Sequence, residues 1–66
     1  MNALKSMRES RGFSQSQLAK RSGVDVRIIQ NYEQGVRDIN HAKVITVLRL
    51  SEALACDIYD ILNPRK

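Results

Sequence analysis

The sequence predicts an all-α fold of five short helices, and three observations carry that reading. Apolar residues recur at intervals of three and four, the spacing that lines one face of a helix. Proline is absent until Pro64, so no ring interrupts a helix before it. Glycine occurs only at positions 12, 23 and 35, each closing a helix-periodic segment, where a left-handed residue commonly ends the helix. At 66 residues the chain, 1–66, reads as one domain with a modest core and marginal stability.

The elements follow in order. A first helix is expected over about 2–10, with Leu4 and Met7 facing the core and Gly12 ending it. Phe13 is expected beneath the next helix. Ser14 and Gln17 match a capping box, in which each side chain satisfies an orphan amide at the helix start, so a second helix begins at Ser14. Leu18 and the small Ala19 form its buried side. Gly23 closes it, and Val24 plugs the turn into the core. Asp25 is a good N-cap for a third helix, which runs to about Gln34 with Ile29 and Tyr32 inward. After Gly35 a loop leads to Asn40, read as the N-cap of a fourth helix continuing to about Ala55. Asp57 is read as the cap of a short fifth helix ending before Pro64, with Ile58, Ile61 and Leu62 on its apolar side.

The stretch SQSQLAKRSGVDVRIIQNYEQG, from Ser14 to Gly35, is therefore two short helices joined by a tight turn. That is the layout of a helix-turn-helix over about 14–34, whose second helix is offered to the DNA major groove. The charge agrees. The net charge is +4, and all of it lies in the half that holds the motif: residues 1–37 carry seven basic and three acidic side chains, residues 38–66 four of each. A basic face of this kind is the electrostatic footprint of a nucleic-acid binder.

With these pieces in place the chain resembles the helix-turn-helix family of lambdoid phage repressors and Cro proteins, the XRE family. The matching residues are Leu4-x-x-Met7-Arg8, Ser14-Gln15-x-x-Leu18-Ala19, Gly23-Val24, Ile29-x-x-Tyr32-Glu33-x-Gly35, and Ala53-Leu54 followed by Asp57-Ile58-Tyr59-Asp60-Ile61-Leu62. The resemblance spans nearly the whole chain. It implies a compact five-helix, lambda-repressor-like domain that binds double-stranded operator DNA, usually as a homodimer. It also implies that Arg8 and Glu33 form an ion pair between the first and third helices, and that Gln15 clamps the DNA backbone. Two features depart from the pattern. The segment from Arg37 to Ala42 is longer than usual, and Val26 and Ile28 stand where polar residues are frequent.

Base readout needs side chains that leave one helix face and reach base edges. With Ile29 and Tyr32 inward, the outward face of the third helix is Val26, Arg27, Gln30 and Asn31. Arg27 suits guanine O6 and N7, or alternatively a phosphate; Gln30 and Asn31 suit adenine, or again a phosphate. Val26 and Ile28 suit thymine methyl groups, with packing under the turn the competing role for Val26. Phosphate contacts fix register without reading sequence. Gln15, near the positive end of a helix dipole, and Arg37, Asn40 and Lys43 are the expected set, with His41 a further neighbour. Arg11, Lys20 and Arg21 are expected to add diffuse attraction or to be merely solvated.

Other function classes find little support. One histidine, His41, and one cysteine, Cys56, make neither a zinc site nor a Cys–His pair, so no enzyme, metal or cofactor is expected. No apolar run is long enough to cross a membrane. A signal-like N-terminus is missing and Cys56 stands alone, which together point to the cytoplasm. The fourth helix is more apolar than one buried stripe requires, through Val44, Ile45, Val47, Leu48, Leu50 and Leu54; it is either covered on several sides or available for self-association. The expectation is a sequence-specific transcriptional regulator, more often a repressor. Its rival is a protein-interaction module, antitoxin-like or partner-binding, on the same fold. A third reading makes Pro64-Arg65-Lys66 the start of a linker in a longer regulator.

Overall fold

The computed structural model describes residues 2–63, and the 64–66 segment read as a linker start lies outside them. Four α-helices and two single 3-10 turns are present: α1 Ala3–Ser10, α2 Gln15–Ser22, α3 Val26–Gln34, a turn Ile39–His41, α4 Val44–Ala53, and a turn Ile58–Asp60. No strand occurs among the described residues. α2 sits at the centre, against α3 on one side and α4 on the other, while α1 bridges α3 and the last turn.

Local chemistry sets the first three helices. Asn2 caps α1 by accepting from the Lys5 N–H at 2.9 Å. Ser14 and Gln17 close the capping box in both directions, at 3.1 and 2.8 Å. Asp25 caps α3 through the Arg27 N–H at 2.8 Å. Gly23 ends α2 at φ +73°, returning its N–H to the Ala19 carbonyl, a conformation that costs an L side chain about 1–2 kcal/mol. The chain then turns in three residues. Val24 is buried in the core, its N–H held by the buried Ser22 hydroxyl at 3.1 Å.

The core is one cluster to which all four helices and the first 3-10 turn contribute, completed by residues that follow or join them: Leu4, Leu18, Val24, Ile29, Tyr32, Ile39, Val47, Leu50, Leu54 and Ile61. Ile39 comes from the segment between α3 and α4, and its burial explains the first departure from expectation. Asn40 does not cap the fourth helix. Asp38 caps a 3-10 turn instead, through the Asn40 N–H at 2.9 Å, and this turn drives Ile39 into the core. Ala42 is extended, and α4 begins only at Val44, with Lys43 at a cap position that has no side-chain hydrogen bond.

The fifth helix is also corrected: it is a single 3-10 turn. Asp60 reaches back to the Asp57 N–H at 3.0 Å and closes the first turn. Continuation is then blocked, because the Asn63 N–H is diverted to the Asn40 Oδ1 at 2.8 Å, and a residue before proline disfavours helical geometry. The Asn40 amide returns a bond to the Asn63 carbonyl at 3.0 Å, so two asparagines clip the end of the described chain to the segment before α4.

α4 ends in strain. Ala55 adopts φ +53°, a left-handed conformation that favours glycine. Arg11 holds this corner, its Nε donating to the Leu54 carbonyl at 2.7 Å and a terminal nitrogen to the Ala55 carbonyl at 3.4 Å. Replacing Ala55→Gly is expected to raise the free energy of unfolding by about 1 kcal/mol, read from the urea midpoint at unchanged slope.

Candidate nucleic-acid interface

α3 has one face committed to the fold. Ile29 and Tyr32 are buried in the core, and the Glu33 side chain is only 3% exposed. Glu33 is buried because it has a full set of partners. Arg8 approaches it as a fork, Nε to one carboxylate oxygen at 2.7 Å and a terminal nitrogen to the other at 2.9 Å. The remaining terminal nitrogen of Arg8 donates to the Phe13 carbonyl at 2.7 Å. The hydrogen bond to Glu33, ahead of the opposing effect of burial, raises the Arg8 pKa, so the guanidinium stays charged at any usable pH. This is the arrangement the resemblance implies, and it fixes α3 against α1 and the loop before α2.

Gln15 joins the same network. It is the first residue of α2 and is half-buried, with its amide donating to the Glu33 carboxylate at 3.1 Å. One bond holds the amide in place and leaves its second N–H for another acceptor. Asn2 adds a tie at the same C-terminal end of α3, donating to the Tyr32 carbonyl at 2.7 Å. The C-terminal turn of α3 is thus held by side chains from α1 and its cap.

The opposite face of α3 is open. Arg27, Ile28 and Gln34 are exposed, and Val26, Gln30 and Asn31 are half-exposed. Arg27 uses its backbone N–H on Asp25, while its side chain projects from the first turn. At the far end Gly35 turns the chain at φ +78°, and the Asn31 carbonyl accepts the Val36 and Arg37 N–H groups at 2.9 and 3.2 Å, which leads Arg37 into solvent just past α3. Lys43 is exposed at the start of α4, where the first-turn amides have no side-chain cap. Asn40 is half-buried with its side chain engaged by Asn63.

Sequence reasoning missed several roles. Arg11, expected as diffuse charge, binds the carbonyls that end α4. Arg21 lies over the Phe13 ring, 4.6 Å from its centroid, and so shields an aromatic that fills the space beside α2. Asn2 and Asn63 carried no signal, because their partners are distant in sequence. Cys56 is half-buried, and burial, followed by the nearby Asp60, pushes its thiol pKa up. That makes it a weak nucleophile at neutral pH.

The Arg8–Glu33 pair is largely removed from water, so breaking it from one side is costly. Glu33→Leu is expected to destabilise the fold by about 3–5 kcal/mol, whereas Arg8→Met combined with Glu33→Leu restores most of that loss. Thermal and urea unfolding of the two variants checks this.

Comparison with curated proteins and with solved structures gives no match. A family model described as Helix-turn-helix matches residues 4–61. The matched span contains the capped α2, the Gly23–Val24 turn, the anchored α3 and the Arg8–Glu33 pair, the same features on which the resemblance rests. The chain belongs to the XRE-type helix-turn-helix family, a family of DNA-binding regulatory domains.

Proposed function

We propose that this chain is a sequence-specific transcriptional regulator that acts by occupying an operator, more often to repress than to activate, without enzymatic activity or cofactor. The carrying observation is the two-faced α3: one face is locked by Ile29, Tyr32 and Glu33, and the other holds Arg27 and Asn31 out from a rigid support. A helix so held can place side chains on base edges reproducibly.

In this reading Arg27 bonds a guanine, Gln30 and Asn31 read the neighbouring pairs, and Val26 and Ile28 supply apolar contact. Gln15, Arg37 and Lys43 grip phosphates on both sides of the groove, the start of α4 helping through its uncapped amides. Asn40 supports this grip by holding the segment between Arg37 and Lys43 to Asn63. The protein acts in the cytoplasm of a prokaryotic or phage setting, and residues 1–66 form one domain. No helix among the described residues is long and apolar enough to cross a membrane.

Two copies would bind together, because one recognition helix reads few bases. Half-sites would lie about 34 Å apart on one face of the duplex. Val44, Ile45 and Leu48 leave an apolar strip exposed on α4, Val44 at 72%, and this strip is the proposed contact between copies. The same strip favours a second reading, a protein-interaction module with little base readout. Salt separates the two: phosphate neutralisation makes DNA affinity fall steeply as salt rises, whereas an apolar protein contact does not weaken in that way.

On the best duplex recovered from a random pool, Arg27→Ala is expected to cost about 1–3 kcal/mol and to relax preference at one position. Gln15→Ala is expected to weaken all duplexes alike. Anisotropy titrations against the selected duplex and its single-base variants check both. Equal loss on every duplex for Arg27→Ala would reassign that residue to a phosphate.

A further inference from the structure

We propose that the end of the described chain is a working part of the DNA grip: the clip between Asn40 and Asn63 sets where Arg37 and Lys43 stand, and clip and DNA stabilise each other. The inference rests on the DNA-reading assignment above and deepens it, by making the grip depend on residue 63.

The clip closes a ring of two bonds. The Asn63 N–H donates to the Asn40 Oδ1 at 2.8 Å, and the Asn40 amide donates to the Asn63 carbonyl at 3.0 Å. A side-chain amide carries a donor and an acceptor side by side, and here both are spent on the backbone of one residue. The Asn63 side chain accepts a long bond from the Ala3 N–H at 3.5 Å. Asn2, next to Ala3, holds the Tyr32 carbonyl at 2.7 Å. Three asparagines thus bring the chain end, the start of α1, the last turn of α3 and the segment before α4 into one network.

The segment between α3 and α4 depends on this tie. Ile39 anchors it by burial, but an apolar contact is non-directional. The Asp38 cap and the N–H groups of His41 and Ala42 bond within the segment itself. Among the described residues, the side-chain hydrogen bonds that join residues 36–43 to another part of the fold are the two of the clip. Arg37 and Lys43 are exposed and stand three residues before and after Asn40. At no more than about 3.6 Å per residue, the backbone of each lies within about 11 Å of Asn40, so releasing Asn40 frees both cations. Both asparagines are half-buried and uncharged. Water replaces such bonds at little net cost, so the clip can open locally while the core stays folded.

Asn40 carries no charge and so releases no counterion of its own. A change in salt dependence on removing its side chain can arise only through the cations it positions. The coupling is also reciprocal: DNA must hold the clip closed by the same factor by which an open clip weakens DNA binding.

The test uses the full chain and the duplex selected from a random pool. Asn40→Ala is titrated against that duplex and its single-base variants over a range of salt, with folding verified by circular dichroism. In the unsubstituted chain, amide exchange at Asn63 is followed by NMR with and without the duplex. The expected result for Asn40→Ala is an equal loss on every duplex, roughly eightfold at 0.1 M salt for each phosphate contact given up, with the log–log salt slope shallower by about 0.9 per contact. DNA should slow exchange at Asn63 by a matching factor. It should leave unchanged the Asp57 N–H, which bonds the Asp60 carboxylate in the last 3-10 turn. An unchanged salt slope in Asn40→Ala would overturn the proposal, as would exchange at Asn63 that DNA slows no more than at Asp57; on a duplex still bound specifically, either result leaves the DNA reading standing. A loss confined to one base position would also overturn it, by making Asn40 a base contact. Should Asn40→Ala not fold, the exchange measurement decides alone. A pool that yields no specific duplex would overturn both readings.

Discussion

The orientation of α3 depends on one buried interaction, the fork between Arg8 and Glu33. Its geometry is demanding: both carboxylate oxygens are engaged, at 2.7 and 2.9 Å, and the third guanidinium nitrogen is taken by the Phe13 carbonyl. Desolvating two charges offsets most of their attraction, so such a pair contributes little net stability. What it supplies is direction. A guanidinium and a carboxylate that meet in one plane fix the rotation of α3 about its own axis, and with it the side chains presented outward. Apolar contacts from Ile29 and Tyr32 hold α3 down but tolerate sliding, because the hydrophobic effect is non-directional. Gln15 then bonds the same carboxylate at 3.1 Å, so the residue proposed to grip a phosphate is registered against the helix proposed to read bases.

Much of this was legible in the sequence because its causes are local. The capping box at Ser14 and Gln17, the Asp25 cap and the helix-ending glycines at 23 and 35 act within a few residues of themselves, and each appears where the spacing placed it. The ion pair was available only through resemblance, since its partners are 25 residues apart. What went unread was set by contacts across the fold. Asn40 looked like a helix cap, yet Ile39 had to reach the core, and the segment spent its capping on Asp38 instead. The last helix shrank to one turn because Asn63 gave its N–H to Asn40, 23 residues away. Arg11 reads as surface charge until α4 is folded beside it and its terminal carbonyls need donors. The outward face of α3 followed directly from helical period once the inward residues were assigned. Which of its side chains does what was not decided by period, and rests on chemistry.

Function and fold divide the molecule unequally. The basic excess sits in residues 1–37 with the motif, whereas the apolar excess sits on α4, where Val47, Leu50 and Leu54 are buried and Val44, Ile45 and Leu48 are not. A domain this small has little core to spare, so apolar side chains left in water on α4 and on the first turn of α3 suggest contacts completed by something else. We assign the first to a second copy and the second to DNA.

Selection from a random duplex pool, sequenced after enrichment at two salt concentrations, tests the central claim most directly. The account predicts a palindrome with half-sites about one helical turn apart, and retention that falls steeply at the higher salt. A pool that shows no enriched sequence, with weak retention indifferent to salt, would contradict it and point to a protein partner on the exposed apolar surfaces.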